Sequence, residues 1–138
     1  MQKRYARILA VLLCVVMLFC LSAQAAEPYA SSLIATHSAT ITKGTDGYLY
    51  VTFTISANRV CDVIGATSVA IQRKSGSSWV DERTYTVAST PELQDTDISF
   101  HSLVIKYKPQ YSDATYRAVV NLYAKCGTTV STGTDTAT

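Results

Sequence analysis

Apolar and polar side chains alternate over most of this chain. In Thr115 to Cys126, T-Y-R-A-V-V-N-L-Y-A-K-C, the residues Tyr116, Ala118, Val120, Leu122 and Ala124 share one face, and Arg117, Val119, Asn121, Tyr123 and Lys125 share the other. A period of two marks a half-buried strand, and the β-branched and aromatic content favours strand over helix. We expect this segment to be the central strand of a sandwich. Leu49, Val51, Phe53, Ile55 and Ala57 alternate in the same way with Tyr48, Tyr50, Thr52, Thr54 and Ser56. One set is expected to face the core, and the other water or a partner.

Weaker periodicity predicts the remaining strands. Leu33 to Thr42 reads as a polar, edge-like first strand. Thr67 to Lys74 turns Val69 and Ile71 inward, and Ile98 to Lys108 turns His101, Leu103, Ile105 and Tyr107 inward. Phe100 and Val104 point the other way, which suggests a bulge or an inter-sheet edge. In Trp79 to Ala88, Trp79, Tyr85 and Val87 share a face with Asp81 and Arg83, and Trp79 is read as sandwich core. Lys43-Gly44-Thr45-Asp46-Gly47 and Ser75-Gly76-Ser77-Ser78 are turns. Asn58 to Gly65 breaks the pattern and reads as a loop, and Ser89 to Thr96 crosses without a period. Pro109 ends a strand, and the Thr/Ser-rich stretch Gly127 to Thr138 predicts a last edge strand that frays into a tail. About seven short strands, with no amphipathic helix to carry a parallel crossover, predict an all-β antiparallel sandwich.

The first residues follow another rule. Lys3, Arg4 and Arg7 precede the uncharged apolar run Ile8 to Leu21, and Ala23-Gln24-Ala25 offers a small-x-small cleavage site. A run of about 14 residues falls short of the roughly 20 that a spanning helix needs. We expect a signal peptide over 1–25, an exposed leader over 26–32 and a β-sandwich over 33–138. The exported chain is expected to be secreted and to leave the membrane after cleavage; the alternative is a retained anchor. Cys20 lacks the preceding small residues of a lipoprotein signal. Three of the twelve Lys and Arg residues lie in 1–25 and none of the ten acids does, leaving nine basic against ten acidic groups. The formal excess of +2 therefore belongs to the signal and points to no nucleic acid. About 113 residues remain, enough for one core.

Cys14 and Cys20 leave with the signal, so Cys61 and Cys126 can pair only with each other in an oxidising compartment. The alternative is two unpaired thiols. His37 and His101 are far apart in the chain, so no metal or other cofactor is expected.

An enzyme needs a base, an orienter and a place for charge to develop. His101 with Glu92, Asp95 and Asp97 is the set that a small secreted hydrolase or carbohydrate-active protein would use, although its inward register favours a hydrogen-bonded core histidine. The acids match no calcium-loop spacing, and neither Gly44 to Gly47 nor Gly76 precedes a phosphate-cradling helix. Tyr48 and Tyr50, with Tyr123 on the other sheet, are candidates to stack on sugars or bury against a protein; ordinary cross-strand packing is the alternative. Asp62, in the loop beside Cys61, joins these candidates. Lys106, Lys108 and Arg117 read as a small basic cluster on a solvated face. The chemistry predicts a secreted non-enzymatic binding or structural module with an unknown protein or glycan as partner. A secreted inhibitor or toxin-like effector gives the same sequence signature.

Two resemblances add to this. Ser102-Leu103-Val104-Ile105 followed by Ala114-Thr115-Tyr116 and Ala118 resembles the strand, loop and strand passage of immunoglobulin-like and fibronectin type III domains. In those folds a tyrosine near the start of the sixth strand bonds back to the upstream backbone. Tyr116 occupies that position, while Ala118 replaces the cysteine of antibody domains, so the inter-sheet bridge of that family is absent. The likeness implies the fibronectin arrangement, three strands on four. It also implies that Cys61 and Cys126 meet at one pole, where a bridge would stiffen a candidate working surface; the alternative is that it only closes a frayed end. Val63-Ile64-Gly65-Ala66-Thr67-Ser68-Val69, Ser78-Trp79-Val80 and Tyr116-Arg117-Ala118-Val119-Val120 with Tyr123-Ala124 are similar to a family of short secreted proteins from Gram-positive anaerobes. That family carries a domain of unknown function, so this second likeness implies no activity.

Overall fold

A computed structural model describes residues 33–138, so the expected signal peptide and leader lie outside the described residues. The strands are β1 (Ile34–Lys43), β2 (Leu49–Cys61), β3 (Val63–Ser75), β4 (Ser78–Thr86), β5 (Gln94–Asp95), β6 (Ile98–Tyr107), β7 (Tyr116–Cys126) and β8 (Thr129–Ala137). Seven are long, and β5 is a two-residue addition to the edge of β3 beyond the end of β4. Every pairing is antiparallel, with one sheet ordered β1-β2-β6 and the other β4-β3-β7-β8. The fold is an all-β, immunoglobulin-like sandwich in the fibronectin type III arrangement.

Alternation decides which side chains meet between the sheets. Val51, Phe53 and Ile55 from β2 face Ile64, Ala66, Val69 and Ile71 from β3 and Ala118, Val120, Leu122 and Ala124 from β7, all buried. Each large aliphatic or aromatic side chain removed from water contributes about 1.5–3 kcal/mol. A one-residue slip in any of these strands would turn its whole set to solvent, so the core fixes the register. Leu93, on the short 3₁₀ turn Pro91–Leu93, plugs the core from the crossing segment.

Four expectations are corrected. The stretch 58–66 is not a loop: β2 runs on to Cys61 and β3 starts at Val63, leaving Asp62 alone between them. The lost alternation in Ala57 to Val60 comes from a bulge, because Ser56 pairs with Phe100 and Cys61 with Ile98, so that four residues oppose Ser99. The C-terminal stretch does not fray, since β8 pairs with β7 all the way from Cys126–Thr129 to Ala118–Ala137. Its inward positions, Thr129, Ser131, Gly133 and Asp135, are small or polar, and backbone pairing holds what apolar periodicity does not advertise. Trp79 is not core: the register with Lys74 and Gln72 puts it on the outer face, half-buried beneath Arg117. Arg117 is accordingly on the opposite sheet from Lys106, so the basic cluster of Lys106, Lys108 and Arg117 does not form.

The strand edges β1 and β8 lie side by side where the sheets meet. The Leu33 N–H donates to Ser131 Oγ at 3.0 Å, and His37 Nδ1 lies 3.1 Å from Asp135 Oδ2.

Candidate functional site

At one pole Cys61 and Cys126 are joined as a disulfide that closes 65 residues of chain. The single linking residue Asp62 uses its carboxylate to accept the Gly127 N–H at 2.7 Å, which ties the β2–β3 step to the β7–β8 hairpin. Gly127 makes that tight turn at a φ of +62°, a left-handed conformation that glycine adopts freely, in otherwise open space. Asp62 therefore serves the architecture of this pole.

At the opposite pole the Tyr116 hydroxyl donates to the Tyr111 carbonyl at 3.2 Å and accepts the Tyr111 N–H at 3.3 Å. This is the backward bond that the immunoglobulin-like resemblance implied. Tyr107 meets Tyr116 edge-on at 6.4 Å, and the Arg73 guanidinium lies 4.6 Å over the Tyr111 ring while bonding Glu82 at 2.5 Å. Burial, helped by the negative charge of Glu82, pushes the Tyr107 phenol above its ordinary value. A shallow cleft of about 180 Å³ opens here between Ile41, Leu49, Ala114 and Tyr116.

The outer face of the β1-β2-β6 sheet carries Tyr48 and Tyr50 together, as their shared parity requires. Register places Lys106 directly across from Tyr50. The Lys106 ammonium lies 4.1 Å from the Tyr48 ring centroid and 5.4 Å from that of Tyr50, and Lys108 lies 4.8 Å from Tyr48. Asp46, in the preceding turn, anchors the group: its carboxylate accepts the Tyr50 hydroxyl at 2.6 Å and pairs with Lys106 at 3.0 Å. The Tyr50 hydrogen bond and Lys106 hold the Asp46 carboxyl down at about 2. Farther along the face, hydroxyls pair across strands, Thr36 with Ser56 at 2.6 Å and Ser38 with Thr54 at 2.7 Å. Asp46, expected as a turn residue, does accept the nearby Tyr48 N–H at 3.2 Å; its further tie to Tyr50 was signalled only by its spacing of four residues before that tyrosine.

Tyr123 lies on the outer face of the other sheet, in the row with Gly65 and Thr132, so the three candidate tyrosines do not form one patch. Two polar ladders cross that face. Thr134 Oγ1 donates to Asn121 Oδ1, whose amide donates to Ser68, and Arg117 donates to Gln72, whose amide donates to Asp81. Arg117 stacks 4.4 Å over Trp79. These side chains satisfy one another.

His101 points between the sheets, its ring 5.8 Å from Phe53 and its Nε2 2.9 Å from the Glu92 backbone carbonyl. The partner is thus a main-chain oxygen rather than a carboxylate of Glu92, Asp95 or Asp97, and the ring pins the crossing segment to β6. Among the described residues, no three His, Cys, Asp or Glu side chains converge as a metal site. No helix among them is long and apolar enough to cross a membrane. Compared with protein-family models and with curated proteins, the chain matches none.

Proposed function

We propose that this chain is a secreted, non-enzymatic binding module whose working surface is the Tyr48–Tyr50–Lys106–Lys108 face and whose partner is an acidic glycan. The observation that carries the reading is the placing of two ammonium groups over adjacent tyrosines, with Asp46 holding the group in register. An acidic sugar offers what such a surface takes: an anionic group for the lysines and a C–H face for the rings. The hydroxyl-lined strands beside it extend the same sheet face. Export is supported by the basic, apolar and small-residue pattern of 1–25, and by a disulfide, which persists in oxidising compartments. The likeness to short secreted proteins of Gram-positive anaerobes belongs to this reading.

Binding of the purified chain to acidic and neutral polysaccharides, followed by calorimetry, tests it. Affinity is expected for the acidic polymers, with a loss of at least about tenfold in the Lys106→Ala, Lys108→Ala double variant and in Tyr48→Ala. Equal binding of neutral polymers, or loss through Tyr123→Ala instead, would move the site to the other sheet. Glycan turnover abolished by His101→Gln would replace binding with hydrolysis.

A further inference from the structure

The sandwich has four outer strand edges, and three of them are guarded. The edges of β1 and β8 face each other and are tied by the Leu33–Ser131 and His37–Asp135 bonds. The edge of β4 carries the charged run Asp81, Glu82, Arg83 and a bulge at Glu82, two devices that discourage pairing. The edge strand β6 has neither, and its one tie to a neighbouring segment is the His101–Glu92 bond near its start. From Phe100 to Tyr107 it runs in unbroken register with β2 and without proline, the bulge of β2 lying opposite Ser99, and it exposes Phe100 (57%) and Val104 (56%) on its outer face.

We infer that β6 pairs antiparallel with β6 of a second copy of this chain, joining two three-stranded sheets into one of six strands. A two-fold axis at Ser102 puts Phe100 of each copy opposite Val104 of the other, so the two exposed apolar side chains cover each other. An aromatic beside a β-branched residue is a favourable cross-strand pair. The same axis matches charge. Asp97 immediately precedes β6 and Lys108 immediately follows it, so antiparallel pairing about Ser102 brings Asp97 of each copy alongside the Tyr107–Lys108 end of the other. A closed two-fold contact leaves no free β6 edge for a third copy. This inference does not rest on the glycan reading, and its test contains no glycan.

The test is sedimentation across a wide range of concentration, with protein purified from cells expressing the full sequence. A reversible monomer–dimer equilibrium is expected, weakened by salt and weakened at least about tenfold by Val104→Lys. Val130→Lys, at an exposed valine of β8, is expected to leave it unchanged. Ser102→Cys places one thiol of each copy at the axis and is expected to yield an intermolecular disulfide on mild oxidation, whereas Thr132→Cys is not. Both altered serine and threonine positions are exposed, so the fold is kept. A monomer at every concentration, an association indifferent to Val104→Lys, or equal cross-linking through Thr132→Cys would overturn the inference.

Discussion

Two single residues show how closely the backbone is fitted. Gly65 lies in β3 at a φ of +150°, where a Cβ would stand 2.1 Å from the Leu93 carbonyl oxygen and 2.7 Å from Gln94 Cα. Both obstacles are main chain and cannot swing aside, so Gly65→Ala must push the crossing segment off the sheet and draw Leu93 from the core. A loss of about 1–3 kcal/mol in a denaturant unfolding curve is expected, and an unchanged midpoint would show that the segment yields freely. Asp46 gives a second prediction. Its carboxyl is held at about 2 against an ordinary 3.8, so the stabilisation it brings is complete above about pH 4 and disappears as pH falls through 2. Asp46→Asn should remove that part of the acid dependence, and an NMR titration of the Asp46 side chain with a midpoint near 3.8 would contradict the tie to Tyr50 and Lys106. Asp46 illustrates why sites are harder to read from sequence than strands. Tyr116 was legible because its role depends on nearby chain, whereas only one partner of Asp46, Tyr50, is near in sequence and the other, Lys106, depends on how β2 registers with β6.

At the scale of elements, alternation works where both faces differ in polarity. Leu49 to Ser56 and Tyr116 to Lys125 were plain because every second side chain is buried between the sheets. The end of β2 was not, because A-N-R-V bulges outward and its period vanishes, so a continuous strand read as a loop. β8 was obscure for the opposite reason: its inner side needs little volume beside Leu122, and Gly133 satisfies it. The pole joining these two poorly legible ends is where the covalent bond lies. In the chain-entropy view, closing 65 residues contributes about 4 kcal/mol by narrowing the unfolded ensemble. Replacing Cys61 and Cys126 together by Ser should lower unfolding stability by up to that amount. Because Asp62 and Gly127 still tie the hairpin, circular dichroism of the folded variant should remain that of a sandwich. A variant as stable as the parent would mean that the unfolded chain already keeps these ends together.

The whole molecule divides unevenly between centre and rim. β2, β3 and β7 each have a hydrogen-bonded neighbour on both sides and supply nearly all the side chains fully removed from water. β1, β4, β6 and β8 have one neighbour each in the monomer, and their inward residues are smaller, more polar or half-exposed. Local opening requires few buried contacts and solvent-facing hydrogen bonds, so the rim should open without the centre. Native-state hydrogen exchange should find the amides of Phe53, Ile71, Val120 and Leu122 exchanging only through global unfolding, and those of β4 through smaller openings. β6 separates the two views of this protein. If it is a bare edge, its amides should exchange alongside those of β4 at any protein concentration. If it is the seam of a dimer, protection at Phe100 to Val104 should rise with concentration while β4 stays unchanged, because mass action stabilises only the strand that the second copy covers. Concentration-independent exchange along β6 would leave the three-stranded sheet standing alone.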